Sequence, residues 1–260
     1  MGFTGKRVSF GMNPSAEVMN RSRYVCKEIK RLMGKAIHRH QMIGDGDHVL
    51  VSVSGGKDSM TMCWLLRERL ARIPIHYKIT AVHIDPGFGA DSSAQMASFF
   101  ETHGFGYRII RSQIGPLAHS PKNRENPCFL CSRLRRKLIF ELAAELGCSK
   151  VALGHHKDDL IETFFLNVFY GASISTMQPV QSLFDGALDV IRPLYLIDED
   201  RIKAYARCMR WPEISMGCPS AGLSKREMIK NMLQHIYQSN HKTKGNVFHA
   251  LHNVNKDYLL

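Results

Sequence analysis

The sequence predicts an α/β fold, a parallel five-stranded sheet flanked by helices, with a helix before it and a helical tail after it. Three observations predict it. Short runs rich in β-branched residues alternate with amphipathic stretches of helical length between residues 48 and 208, as in a parallel sheet covered on both faces. Polar turns follow the strands at the edge where such sheets bind ligands. The chain has 260 residues, 44% hydrophobic and 22% charged, ordinary for one sizeable domain with an appendage.

The elements follow in order. Residues 1–14 are polar and glycine-containing and read as a loose arm. From about residue 16 to 42, Val18, Met19, Tyr24, Val25, Ile29, Leu32, Met33 and Ile37 recur at helical spacing with basic residues between them, which predicts one long amphipathic helix. Arm and helix form a first segment, 1–42. A turn at Asp45-Gly46-Asp47 opens the main domain, 43–215. Strands are expected at 48–53, 77–84, 107–110, 150–153 and 188–191. Helices are expected at 58–72, 91–102, 129–146, 157–170 and 198–208, two of them stopped by Gly147 and Gly171. A polar loop with Pro121 and Pro127 precedes the third of these. The last segment, 216–260, holds a cysteine loop, a helix and a basic, histidine-containing tail.

Lys plus Arg number 35 against 23 Asp plus Glu, a formal net charge of +12. That excess favours a polyanionic partner, nucleic acid foremost, over a basic surface serving solubility alone. No run approaches about 18 consecutive apolar residues, so no membrane-spanning helix is expected. Residues 1–23 lack the apolar core of a signal peptide, and a cytoplasmic protein is expected. In that setting the seven cysteines read as thiols or metal ligands rather than a disulfide framework.

Ser54-Gly55-Gly56-Lys57-Asp58-Ser59 follows the first strand and opens a helix, where backbone N–H groups and a helix N-terminus meet an anion. The glycines admit phosphate oxygens, Ser54 and Ser59 can donate hydrogen bonds, and Lys57 adds charge. The spacing is neither the Walker nor the dinucleotide pattern. Asp58 makes sense if Mg²⁺ accompanies the phosphates. A second run, Gly154-His155-His156-Lys157-Asp158-Asp159, follows the fourth strand and should share that sheet edge. Its carboxylates could serve Mg²⁺ or a proton in transit, or simply cap the helix. Adjacent histidines point to different sides, so a joint metal role for both is not expected. His83 and Asp85 end the second strand at the same edge.

Cys128 and Cys131 stand as Cys-x-x-Cys, open to metal, redox or chance readings. The chain offers no second such pair, only Cys218 in Gly217-Cys218-Pro219-Ser220. Three thiolates could hold a four-iron cluster with one iron open; zinc with a fourth ligand is the rival. Cys26, Cys63, Cys148 and Cys208 read as packed core thiols.

Ser54-Gly55-Gly56-Lys57-Asp58-Ser59 resembles the PP-loop of the ATP pyrophosphatase superfamily, which implies a Rossmann-like sheet of the PP-loop/HUP type and adenylation with pyrophosphate release. With Pro127-Cys128-Phe129-Leu130-Cys131, Leu153-Gly154-His155-His156-Lys157-Asp158-Asp159, Phe165-Leu166-Asn167-Val168-Phe169-Tyr170-Gly171 and Ile191-Arg192-Pro193-Leu194, the chain from about 20 to 235 resembles the tRNA 2-thiocytidine synthetase (TtcA) family. Ala221 stands where that family often has a further cysteine, which leaves Cys128, Cys131 and Cys218 as the implied ligands of a [4Fe-4S] cluster. The zinc-binding cysteines at both ends of the related 2-thiouridine enzymes are absent, which favours the cytidine branch.

The resemblance implies ATP-dependent formation of 2-thiocytidine at cytidine 32 of tRNA, with a cysteine desulfurase or other donor supplying sulfur and a homodimer as the assembly. It implies ATP contacts at Ser54, Gly55, Gly56, Asp58, Ser59, His83, Asp85, Gly154, His155 and Asp159. Asp159, Arg135, Lys57 and Asp58 are the expected catalytic groups. Arg133, Arg136 and Lys137 follow on the same helix and could meet RNA phosphates or form a solvated face. The alternative is a tRNA 2-thiouridine-type thiolase or another PP-loop adenylating ligase, such as an amidating one, and after these a nucleotide-binding redox sensor without catalysis.

Overall fold

The computed structural model describes residues 16–258 apart from residue 90. The predicted arm, residues 1–14, lies outside the described residues. The order is α1 (Ala16–Arg39), β1 (His48–Ser52), α2 (Lys57–Leu70), β2 (Lys78–Asp85), α3 (Ser92–Thr102), β3 (Tyr107–Arg111), α4 (Ile114–Ala118), α5 (Pro127–Glu145), β4 (Lys150–Ala152), α6 (Lys157–Gly171), β5 (Val180–Leu183), β6 (Leu188–Ile191), α7 (Glu199–Met209), α8 (Lys225–Ser239) and α9 (Thr243–Ala250). Among the described residues no helix is long and apolar enough to cross a membrane.

The sheet runs β3-β2-β1-β4-β6-β5. All neighbours are parallel except β5, which pairs antiparallel with β6, Val180 opposite Ile191 and Leu183 opposite Leu188. The sheet therefore has six strands, not the expected five. Val180-Gln181-Ser182-Leu183 is an edge strand without a buried apolar run, so no periodicity marked it. From β1 the chain winds outward through β2 and β3, then returns to place β4 on the other side of β1. The ends of β1 and β4 thus flank the topological switch point, where open α/β sheets bind ligands.

Alternation along the central strands divides the core. Val49 and Val51 face a cluster built with α1, α2, α3 and α7, including Ile29, Met60, Phe100 and Tyr205. Leu50, Val82 and Val151 face Ile139, Leu142 and Ala143 of α5. The first segment is therefore not an appendage: Ile29, Met33, Ala36 and Ile37 of α1 are part of the main core. Ile161 of α6 packs with Ile229 and Leu233 of α8, which brings the C-terminal segment against the second loop.

Local chemistry sets the helix starts. Asn126 caps α5, its side chain accepting from the N–H groups of Cys128 and Phe129, with Pro127 in the first turn. Pro127 therefore begins the helix instead of ending a loop, as its fixed φ allows. Ser224 caps α8 through the Glu227 N–H.

Candidate active site

The loop after β1 is drawn tight by its own hydroxyls. Ser59 Oγ donates to the Gly56 carbonyl at 2.9 Å, and the Ser54 N–H donates to Ser59 Oγ at 3.0 Å. Gly55 has φ +87°, and a Cβ there would sit 3.2 Å from the Ile214 side chain, so glycine is required twice over. The result is a turn at the N-terminus of α2 whose backbone can face an anion.

The second loop is seated on the first. A Cβ on Gly154 would lie 3.1 Å from both Cα and N of Ser59 and 3.4 Å from the Asp58 carbonyl carbon. Only glycine lets the backbones after β1 and β4 approach this closely. His156 then caps α6, its N–H donating to Asp159 Oδ2 at 2.9 Å, and its Nε2 lies 3.8 Å from Asp58 Oδ1. The structure therefore joins Ser54, Gly55, Gly56, Asp58, Ser59, Gly154 and Asp159 in one crevice.

The acidic groups there differ in engagement. Asp159 Oδ1 lies 3.3 Å from Arg226 Nη1, and the same guanidinium holds Glu162 Oε2 at 3.2 Å and Thr163 Oγ1 at 3.0 Å. Asp158 accepts the Glu199 N–H at 2.8 Å and pairs with Lys244, so it ties α6 to α7 and α9. Asp58 has His156 as its near neighbour. Burial raises its carboxyl above the ordinary range, His156 opposes this, and Asp159 and Glu199 add to it. Lys57 reaches outward to Glu213, 2.7 Å away.

His83 and Asp85 have structural partners. His83 is fully buried, with Nδ1 donating to the Val53 carbonyl at 2.8 Å and Nε2 unpartnered. Asp85 accepts from the Gly87 N–H at 2.9 Å and from Ser93 Oγ at 2.7 Å, so it shapes the turn into α3. His155 has a buried, unpartnered Nδ1. Burial, aided by the Arg192 and Arg226 charges and opposed by Asp159, pushes its imidazole down to about 4, so it is neutral at pH 7.

Cys128, Cys131 and Cys218 are free thiols. Burial raises Cys131, the Arg135 charge lowers it, and Cys218 and Cys128 raise it further, so Cys131 has Arg135 and the two other cysteines as electrostatic neighbours. Arg135 also acts on His83, and its buried Nε has no partner. The Cys218 loop is held by Ser220, whose Oγ is 2.7 Å from His119 Nε2; His119 ends α4, which packs on α5. Among the described residues no three His, Cys, Asp or Glu side chains stand close enough to share one metal ion. The donor set, three cysteine thiols, fits an iron–sulfur cluster, whereas zinc would need a fourth ligand.

The other cysteines divide. Cys63 and Cys148 are buried, Cys26 is half-buried and Cys208 is exposed on α7, so the core reading fails for Cys208. The helix pattern there has Ile202, Tyr205 and Ala206 inward, which turns Cys208 out. Arg133 pairs with Glu125 at 3.0 Å and Lys137 with Glu141 at 3.7 Å. Sequence reasoning missed Arg226 and Arg192. Asp159 and Glu162, three apart on one helix face, are the signal that a cation was needed. Arg192, 6% exposed, donates to the Gln178 carbonyl at 2.5 Å and has an unpartnered Nε.

Residues 25–213 match the PP-loop domain family. The tRNA-cytidine(32) 2-sulfurtransferase of Geobacter sulfurreducens is 35% identical over 247 residues, 94% of this chain and 95% of that one. The enzyme of the same name from an Azoarcus species is 42% identical over 214 residues, 80% of this chain and 69% of that one. In fold the chain is similar to the U34-tRNA thiolase NcsA from Methanococcus maripaludis, solved with its [4Fe-4S] cluster, at a TM-score of 0.74 and 24% identity, covering 89% of this chain and 79% of that one. A crevice at the switch point of a PP-loop sheet, three free thiols beside it and these relatives together place the chain: it belongs to the tRNA-cytidine(32) 2-sulfurtransferase family of PP-loop proteins.

Proposed function

We propose that this chain is an ATP-dependent tRNA sulfurtransferase that converts cytidine 32 to 2-thiocytidine, forming AMP and pyrophosphate. The observation that carries the reading is the meeting, at one sheet edge, of a phosphate-binding turn (Gly55, Gly56) and a second loop seated on it (Gly154), in a chain whose Cys131 has Arg135, Cys218 and Cys128 as electrostatic neighbours. The relatives that bear this name match nearly the whole chain.

ATP lies with its β- and γ-phosphates on the amides of Gly55 and Gly56 and the hydroxyls of Ser54 and Ser59, at the positive end of α2. Lys57 swings from Glu213 to the phosphates. Asp58, the carboxylate there without a Lys or Arg partner among the described residues, would hold Mg²⁺. Cytidine O2 attacks the α-phosphorus; the O2–P bond forms as the α–β anhydride breaks, and pyrophosphate leaves. A sulfur nucleophile then adds at C2, and AMP departs with the C2–O2 bond. Arg135 stabilises the charge that develops at O2 and on the phosphate. Asp159, fixed by Arg226 and the His156 N–H, orients the second loop against the base. Held by Cys128, Cys131 and Cys218, a [4Fe-4S] cluster would supply the sulfur chemistry, with one iron lacking a protein ligand. A cysteine desulfurase delivers the sulfur.

The test is direct. Anaerobically reconstituted protein is incubated with ATP, Mg²⁺, unmodified tRNA and a sulfide source, and the tRNA is digested to nucleosides. 2-Thiocytidine together with tRNA-dependent pyrophosphate release is the expected result. 2-Thiouridine in its place, or no pyrophosphate, sinks the reading.

A further inference from the structure

We propose that the groove between α5 and the β5–β6 hairpin is a nucleobase-binding subsite for the single-stranded part of the RNA substrate. The inference rests on tRNA being that substrate. The groove is a cavity of about 600 Å³, lined by Phe140, Ala144, Leu188 and Phe184 and rimmed by Arg133, Arg136, Lys137 and Glu141, the last paired with Lys137. An apolar lining suits a planar base, and the cations of the rim suit the phosphates that flank it.

The hairpin tip is built against its own comfort. Phe184 and Asp185 have φ of +54° and +55°, where tight hairpin turns favour Asn, Asp and Gly, so the strain falls on Phe184. Phe184 is nevertheless 64% exposed, so little burial offsets the backbone strain. Its ring stands edge-on to Phe140, centroids 6.0 Å apart and planes 81° apart, which leaves a ring face free. Strain kept without a packing gain marks a functional position.

The helix supplies the rest at helical spacing. Phe129, 55% exposed, carries the Arg133 guanidinium 5.5 Å from its ring centroid. Residues 129, 133, 136, 137, 140 and 144 follow one stripe of α5, while Cys128, Cys131 and Arg135 centre about 160° round the helix from it. Arg136 is near enough to Arg192, just past β6, for the two charges to repel. Groove and thiols therefore share one helix on different faces, and a strand of RNA lying in the groove reaches the crevice by passing round α5. A second copy of the chain fits poorly: a two-fold contact would set the cationic rim against itself.

The test uses the full chain and an anticodon stem-loop RNA carrying the cytidine, beside a blunt duplex of equal length. Phe184→Ala should weaken stem-loop binding by about 5- to 150-fold, the range for one stacked base, with duplex binding, ATP affinity and melting temperature unchanged; Phe184→Trp should restore it. Arg136→Gln should weaken both RNAs and lower the salt slope by about one. Wild-type affinity in Phe184→Ala overturns the subsite while leaving the tRNA reading intact. Loss of a dimer by light scattering, with RNA affinity per protomer unchanged, assigns the groove to a second copy and also overturns it. Failure of the wild-type chain to bind either RNA overturns both readings.

Discussion

Gly154→Ala tests the seating of one loop on the other. The added Cβ would lie 3.1 Å from two backbone atoms of Ser59 and 3.4 Å from a third, in Asp58. Ordinary van der Waals contact begins near 3.4 Å, so two contacts must each open by about 0.3 Å. Neither neighbour is a side chain that can rotate away. Overpacking of this kind costs about 1–3 kcal/mol. If the crevice stays closed, the cost appears as lost stability, roughly 2–12 °C in melting temperature for a domain of this size. If the loops part, the Gly55–Gly56 turn shifts and the cost appears as an ATP dissociation constant raised about 5- to 150-fold. Thermal unfolding and ATP titration calorimetry on the same sample measure both shares, and together they should account for the whole. A variant that melts and binds ATP like the wild type refutes the argument, because the loops would then have no backbone contact to lose.

Other outcomes follow from the same site. Cys218→Ser should reduce iron bound after anaerobic reconstitution to a small fraction of the wild-type value, whereas Cys208→Ser, exposed on α7, should retain it; equal retention removes Cys218 from the ligand set. Glu213→Gln frees Lys57 from its 2.7 Å partner and should tighten ATP binding a few-fold at low salt, an effect that added salt erases; no change shows that the pair does not compete with phosphate. Arg226→Met leaves Asp159 and the buried Glu162 without their cation and should cost about 1–3 kcal/mol, discounted from a fully buried pair because the arginine is partly exposed; an unchanged melt counts against the bridge. Asp198 is raised by burial but held lower on balance by Lys157 and Lys244, so its contribution is present above pH 3.8 and is lost as pH falls through its depressed value. Acid melts of Lys157→Met should lose stability less steeply below pH 4 than the wild type, and identical slopes would refute this linkage.

Most of the sheet was legible because buried parallel strands leave strong signals. Val49-Leu50-Val51 is β-branched and apolar on both faces, and Val151-Ala152 likewise. β5 was not legible, since an edge strand faces water and needs no apolar run; only its pairing with β6 makes it a strand. The glycines of both loops were legible as a pattern, but the reasons lie across the fold: Gly154 answers to Ser59 and Gly55 to Ile214. No local rule reaches that far. His83 and Asp85 were placed at the correct edge by strand position, yet their bonds to Val53, Gly87 and Ser93 depend on neighbours the sequence does not rank. Arg226 escaped because its partners stand on a helix more than sixty residues earlier.

That last omission bears on how the acidic groups divide their labour. Four carboxylates, Asp58, Asp158, Asp159 and Glu162, gather at the starts of α2 and α6, and repulsion among them would spread the crevice. The C-terminal segment answers with Arg226 on α8 for Asp159 and Glu162, and Lys244 on α9 for Asp158. Asp58 is left with a histidine at 3.8 Å. Asp158, Asp159 and Glu162 thus each have a cation, Arg226 being shared by two of them, whereas the carboxylate next to the phosphate turn has no Lys or Arg among the described residues. A divalent cation arriving with ATP would compensate it there, and burial, which raises the Asp58 carboxyl while it stands alone, would then strengthen the attraction. The C-terminal segment is in this sense part of the site. By pairing the other carboxylates, it leaves Asp58 as the one open to a cation under the proposed function.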